Sequence, residues 1–151
     1  MNTLVLFTLA DRRLALPLSA VERVVRVVEI TPLPQAPEIV RGVINVGGRV
    51  IPVLDIRSRF GLPARPTALS DHLVLANAAT RTVALLAESV QGVAAFPEEA
   101  VIAGENILPG LEYVRGVVKQ DGELILLFDL ALLLSREEES LLRRAEARRE
   151  E

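Results

Sequence analysis

Short β-prone apolar runs separated by polar and turn residues recur along this chain, the pattern of strands joined in hairpins. Leu4 to Ala10 sets Leu4, Thr8 and Ala10 against Val5, Phe7 and Leu9, and beyond the polar turn Asp11-Arg12 the run Leu14-Ala15-Leu16 completes a hairpin. Pro17 ends it, and Ser19 to Arg23 reads as one helical turn capped by Ser19. The β-branched residues after that turn predict a strand from about Val24 to Ile30. Three prolines between Thr31 and Pro37 exclude helix and central strand and predict an extended loop.

The strongest pattern runs from Val40 to Ile56, VRGVINVGGRVIPVLDI, two β-prone runs around Gly47-Gly48. Both glycines accept positive φ, as a tight primed hairpin turn requires. Pro52 lacks an N–H, which predicts an edge strand or a place where the donor would point away from the ladder. The stretch returns at Val114 to Leu130, VRGVVKQDGELILLFDL, with Asp121-Gly122 at the turn. Seven of the seventeen aligned positions are identical, where chance supplies about one. The chain therefore carries an internal duplication. It extends further: Leu14-Ala15-Leu16 with Val21 and Val24 matches Val83-Ala84-Leu85 with Val90 and Val93 at one constant offset.

Asp55 to Gly61 reads as a short helix closed by Gly61. Pro63 to Ser70 is polar and is the candidate linker within the body of the chain. His72 to Ala76 and Arg81 to Ala87 form a further hairpin, Val90 to Phe96 a strand, and Pro97 to Gly110 an irregular connection. Ser135 with Glu138 forms a capping box, which starts a C-terminal helix over 136–147 whose apolar stripe is Leu141, Leu142 and Ala145.

With 151 residues, half of them hydrophobic, the chain can bury roughly 70% of its unfolded surface. Four Phe, one Tyr and no Trp leave that core to Val, Leu, Ile and Ala. The absence of cysteine excludes disulfides, thiol nucleophiles and thiolate metal sites. Apolar runs stay well short of the ~20 residues of a membrane span, and no basic segment precedes the N-terminal apolar run, so a soluble cytoplasmic protein is expected. A net charge of −3 with one Tyr argues against nucleic-acid binding.

Catalytic signals are weak throughout. His72, the single histidine, opens an apolar run with no ligand-spaced partner, and no serine occupies a G-x-S-x-G elbow. Asp55 and Asp129 hold equivalent places after apolar strands, which assigns them to capping the adjoining turns rather than to paired acid–base work. Gly47-Gly48 lacks the Lys-Ser/Thr and the helix of a phosphate loop. What remains is adhesion. The central hairpin is apolar on one face through Gly42, Ile44, Ile51 and Val53, and on the other through Val43, Val50, Pro52 and Leu54. One face can fill a barrel; the other needs a neighbouring subdomain or a partner.

Ile30-Thr31-Pro32-Leu33-Pro34, Ala36-Pro37, Val40-Arg41-Gly42-Val43-Ile44-Asn45 and Gly48 to Arg57 closely resemble the signature of the CheW-like chemotaxis coupling proteins, and the similarity spans Leu4 to about Ala145. The resemblance implies an all-β fold of two interlocked five-stranded SH3-like β-barrel subdomains, with short helices and the C-terminal helix. On this sequence they fall at approximately 14–70 and at 71–134 plus the N-terminal strand. It implies no catalysis and no cofactor. It implies instead an adaptor that couples the cytoplasmic tips of chemoreceptors to the regulatory domain of a CheA-type histidine kinase, recruited to membrane receptor arrays without inserting in the membrane. The family's receptor-groove positions correspond to Val21, Arg23, Val24, Gly42, Gly47, Ala84 and Val90, and the first-repeat hairpin with Asn45 and Arg49 is expected to meet the kinase. The alternatives are a kinase-binding cap or competitor that has lost receptor binding, and a small-molecule-binding barrel.

Two departures from the family pattern stand out. Relatives commonly carry Glu at the position of Arg23 and Arg at the position of Gly47, side chains expected to pair across the groove edge. Here the acid is basic and the base is absent, which predicts altered partner choice with little effect on folding.

Overall fold

In a computed structural model of the chain, residues 1–103 and 112–149 are described. Eleven strands form among them. These are β1 (Asn2–Leu9), β2 (Arg12–Pro17), β3 (Val21–Arg26), β4 (Val40–Val46), β5 (Arg49–Leu54) and β6 (His72–Ala78), then β7 (Arg81–Ala87), β8 (Ser89–Phe96), β9 (Val101–Ala103), β10 (Val114–Gln120) and β11 (Glu123–Phe128). One α-helix, α1 (Arg136–Arg149), ends the described chain, two residues longer than its stripe predicts.

The strands form a five-stranded sheet in the order β3-β6-β7-β5-β4 and a six-stranded sheet in the order β8-β1-β2-β11-β10-β9. Each closes on itself through the chain that leaves its edge strand. Beyond β3, Thr31 exchanges backbone hydrogen bonds of 2.9 and 2.8 Å with Val43 on β4. Beyond β8, β9 pairs with β10. The family's two barrels are thus present, the second with an added short strand.

The sheets do not follow a division near residue 70. The β1–β2 hairpin, residues 2–17, lies in the sheet of the second repeat, and the β6–β7 hairpin, residues 72–87, lies in that of the first. Each exchanged hairpin joins its host through parallel pairing, Val53 with Ala84 in barrel one and Leu126 with Leu14 in barrel two. Parallel neighbours cannot be linked by a tight turn, so each barrel takes its adjoining strand from the other half of the chain.

Three apolar clusters result. Ile44, Ile51, Val53, Leu73 and Leu75 fill barrel one, and Leu4, Leu6, Phe96, Val118 and Ile125 fill barrel two. The largest lies between the barrels around Phe7, Phe60 and Phe128, whose rings meet edge to face at 5.8 Å. The two apolar faces of the central hairpin divide accordingly: Ile44 and Ile51 point into barrel one, while Val43 and Leu54 join the inter-barrel core.

Both repeat turns adopt positive φ at their two central residues, 57° and 86° at Gly47-Gly48 and 52° and 78° at Asp121-Gly122. Asp55 and Asp129 cap the turns that leave β5 and β11, accepting from the N–H of Arg57 at 3.2 Å and of Ala131 at 3.0 Å. The capping box holds in both directions, at 3.1 Å from Glu138 N to Ser135 Oγ and 2.9 Å from Ser135 N to Glu138 Oε1.

The structure narrows or corrects local expectations in four places. Ser19 caps nothing; the turn at Leu18–Ala20 is a 3₁₀ turn entered from Pro17, whose fixed φ suits a first turn. β3 starts three residues before Val24 and stops at Arg26, because pairing with β6 ends where Arg26 meets His72. Pro52 is in an internal strand, opposite Val43 and just before pairing with β7 begins at Val53, so the edge-strand alternative does not hold. The expected irregular stretch 97–110 contains a 3₁₀ turn at Glu98–Ala100 and then β9, and its remainder lies outside the described residues.

Candidate functional site

Two edge strands occupy corresponding places in the two barrels: among the described residues, β3 pairs only with β6, and β8 only with β1. Each carries a bulge at the same repeat position, at Glu22 in β3 and at Gln91 in β8. Because a bulge inserts one residue, it brings residues three apart onto one face. Val21 and Val24 therefore face the same way, opposite Ala76 and Val74 of the inter-barrel core. Val90 and Val93 do likewise, opposite Phe7 and Val5.

Val21, Val24 and Val90 pack half-buried against the rim of that core. Val93 is 58% exposed. It is the repeat mate of Val24 and belongs to the same apolar border, yet the family signature does not single it out. The signal that finds it is the constant offset between the repeats, which maps Val24 onto Val93.

The same bulge separates Arg23 from its expected neighbours. Arg23 pairs with Leu75, which points into barrel one, so it lies on the face of β3 opposite to Val21 and Val24 and is exposed. Arg26, opposite His72, is the exposed base on the valine face.

Gly42 and Ala84 are not on a surface at all. Ala84 is 0% exposed inside barrel one, so it can shape a groove only through packing. Gly42 is buried with φ of 154°, and a Cβ there would fall 2.3 Å from the carbonyl oxygen of Thr31, where the chain returns to close the barrel. Its absence of a side chain has a structural cause. Gly47 sits at the exposed hairpin tip, with open space around its Cβ position.

Asn45 and Arg49 are both exposed and both engaged. The Asn45 side chain accepts from Gly48 N at 2.9 Å across the turn. Arg49 donates to Glu22 at 2.7 Å and to Thr82 at 3.0 Å. An acid–base pair therefore does bridge β3 and the hairpin, formed by Glu22 and Arg49 instead of the positions of Arg23 and Gly47.

The polar connection after Phe60 is anchored rather than free. Arg41 donates to Thr67, to the carbonyl of Arg65 and to Asp55, at 3.2, 2.7 and 2.6 Å. Arg65 reaches the buried Asp71 at 2.7 Å. Burial opposes ionisation of Asp71, but Arg65 and the Ala68 N–H outweigh it and hold the carboxyl below its ordinary value. Arg57, 3% exposed, lies between Asp55 at 3.1 Å and Glu88 at 3.6 Å.

Helix α1 seals another side of the inter-barrel core with Leu142 and Ala145. Arg59 binds Glu138 at 2.6 Å, and Arg81 binds Glu139 and Glu146 at 2.9 and 3.0 Å. Beside the helix a cleft of ≈ 450 Å³ is floored by Ala78, Val83, Leu130 and Leu133, and none of the expected docking residues lines it. No described helix is long and apolar enough to cross a membrane.

Two interlocked β-barrels with corresponding edge strands, each bordered by incompletely buried valines, define the class of protein to which the fold belongs. Residues 3–138 match the family model described as CheW-like domain, and the chain belongs to that family. Relatives are the chemotaxis protein CheW of Rhizobium meliloti (strain 1021), 28% identical over 89% of this chain and 88% of that one, and the probable chemotaxis protein CheW of Rhizobium etli, 29% identical over 89% and 88%. The crystal structure of scaffolding protein TtCheW from Thermoanaerobacter tengcongensis superposes with a TM-score of 0.82 at 27% identity, covering 91% of this chain and 94% of that one. A chemotaxis scaffold is thus the function that family and fold support, and a small-molecule-binding barrel is not favoured.

Proposed function

We propose that this chain is a non-catalytic cytoplasmic adaptor that couples the helical tips of chemoreceptors to the regulatory domain of a CheA-type kinase at membrane receptor arrays. The observation that carries the reading is the valine border. Val21, Val24, Val90 and Val93 lie on two corresponding edge strands, and their faces are left incompletely covered by the inter-barrel core they flank. An incompletely covered apolar strip beside a core is the kind of surface an amphipathic helix covers, with apolar anchors supplying affinity and rim charges selectivity. Arg23 and Arg26 are exposed charges on β3, and Gly47 lies two residues before Arg49, which meets β3 at Glu22. Gly42 and Ala84 act by shaping the barrel beneath. Kinase contact falls to the exposed barrel ends, with the hairpin tip around Asn45 a candidate.

Co-sedimentation with a receptor-tip hairpin and with the kinase regulatory domain tests this. The unmodified chain is expected to bind both. Val93→Asp should lower hairpin affinity by at least about tenfold, the scale of one buried anchor, and leave kinase binding unchanged. Retention of hairpin affinity in Val93→Asp would remove β8 from the site. Arg23→Glu combined with Gly47→Arg should change which receptor tips bind best, and an unaltered preference would remove the rim charge from selectivity.

A further inference from the structure

We infer that Arg49 and Arg13 are positioning residues for the two docking edges, each holding the bulge of its edge strand from strands of the same barrel that do not pair with that edge. The inference rests on the reading that β3 and β8 border the receptor site.

A bulge interrupts the ladder, and an edge strand has no second neighbour to compensate. β3 and β8 both combine these weaknesses at corresponding residues, Glu22 and Gln91. In barrel one the guanidinium of Arg49, the first residue of β5, spans the gap. It donates to Glu22 at 2.7 Å and to Thr82 of β7 at 3.0 Å, and the Thr82 hydroxyl donates to Asn77 of β6 at 3.0 Å. Four strands meet at that contact.

Barrel two ties the same three positions with different residues. Its arginine comes from β2: Arg13 stands where barrel one has Thr82, and Glu123 of β11 stands where barrel one has Arg49. Arg13 donates to Gln91 at 3.3 Å, to Glu123 at 3.4 Å and to Gln120 at 2.8 Å. No residue of one tie is identical to its mate in the other, so sequence copying does not explain the recurrence. What persists is one arginine joining the bulge to strands of the same barrel that do not pair with the edge strand. The tie also accounts for the charge of Arg49, which is matched by Glu22 within the barrel.

Half-exposed pairs contribute little to global stability. The effect belongs to local opening of the edge, and hence to how well the valines are presented. Hydrogen exchange of β3 amides and affinity for a receptor-tip hairpin should be measured in the full chain, in Arg49→Leu, and in the exchanged pair Glu22→Arg with Arg49→Glu. Arg49→Leu should speed β3 exchange and weaken hairpin binding by about threefold to tenfold, with kinase binding retained. The exchanged pair should restore both, which a direct contact by either side chain would not allow. Arg13→Leu should do the same to β8 amides. Unchanged β3 exchange in Arg49→Leu overturns the inference. Loss of kinase binding instead of hairpin binding overturns it too, by making Arg49 a kinase contact. If the unmodified chain binds no hairpin, the receptor reading fails while the exchange data still decide the positioning role.

Discussion

Gly42 and Gly116 are the same residue at the same place in the two repeats, yet they differ in their surroundings. At Gly42 a Cβ would meet the Thr31 carbonyl oxygen at 2.3 Å, a backbone atom fixed by its own pairing with Val43. At Gly116 the nearest atom is the Val101 side chain at 2.9 Å, with the Ile102 carbonyl oxygen at 3.2 Å. A side chain can rotate away; a paired backbone cannot. Gly42→Ala should therefore destabilise by about 2–4 kcal/mol and Gly116→Ala by about half that or less, read as the difference in urea midpoints. Arg23 shows where alternation stops being informative. Simple period two along VERVV puts Arg23 on the face of Val21 and opposite Val24, whereas the bulge at Glu22 turns it away from both. A family motif transfers residue types to positions, but the side of a strand depends on a one-residue insertion that shows only in the pairing.

Among elements, the hairpins and α1 are the most legible in the sequence. Gly47-Gly48 and Asp121-Gly122 specify their turns because only a few residues accept two successive positive φ values. Ser135 with Glu138 specifies the start of α1 for an equally local reason. The surface that α1 packs against is not legible, since its short stripe fits any apolar face. The structure docks it on the inter-barrel core, with Leu142 at 0% exposure and arginines of barrel one, Arg59 and Arg81, gripping its acidic residues. Leu142→Ala should cost about 2–5 kcal/mol. Ser135→Ala should cost only about 1 kcal/mol. Thermal unfolding of both variants checks the order, and a reversed order would mean that α1 is held by its cap rather than by its packing.

At the scale of the whole molecule, the exchange of hairpins makes the two halves interdependent. Barrel one lacks β6 and β7 without residues 72–87, and barrel two lacks β1 and β2 without residues 2–17. Residues 1–70 and 71–151, produced separately, should each lack a cooperative thermal transition and regain it on mixing; circular dichroism measures both. Independent folding of either half would show that the inter-barrel core around Phe7 and Phe128 is dispensable. The same interlock fixes the relation between β3 and β8, the two edges proposed above for docking.

The sequence by itself determined what short-range sterics control: the β-prone runs, the repeated turns, the caps at Asp55, Asp129 and Ser135, and a repeat that a family signature could name. Tertiary structure alone decided which hairpin enters which barrel, on which face of β3 Arg23 lies, and that Arg49 meets Glu22 across 27 residues of chain. Those outcomes depend on burying apolar faces shared by segments far apart in sequence. An apolar strand records that it must be covered, and only the folded chain shows by what.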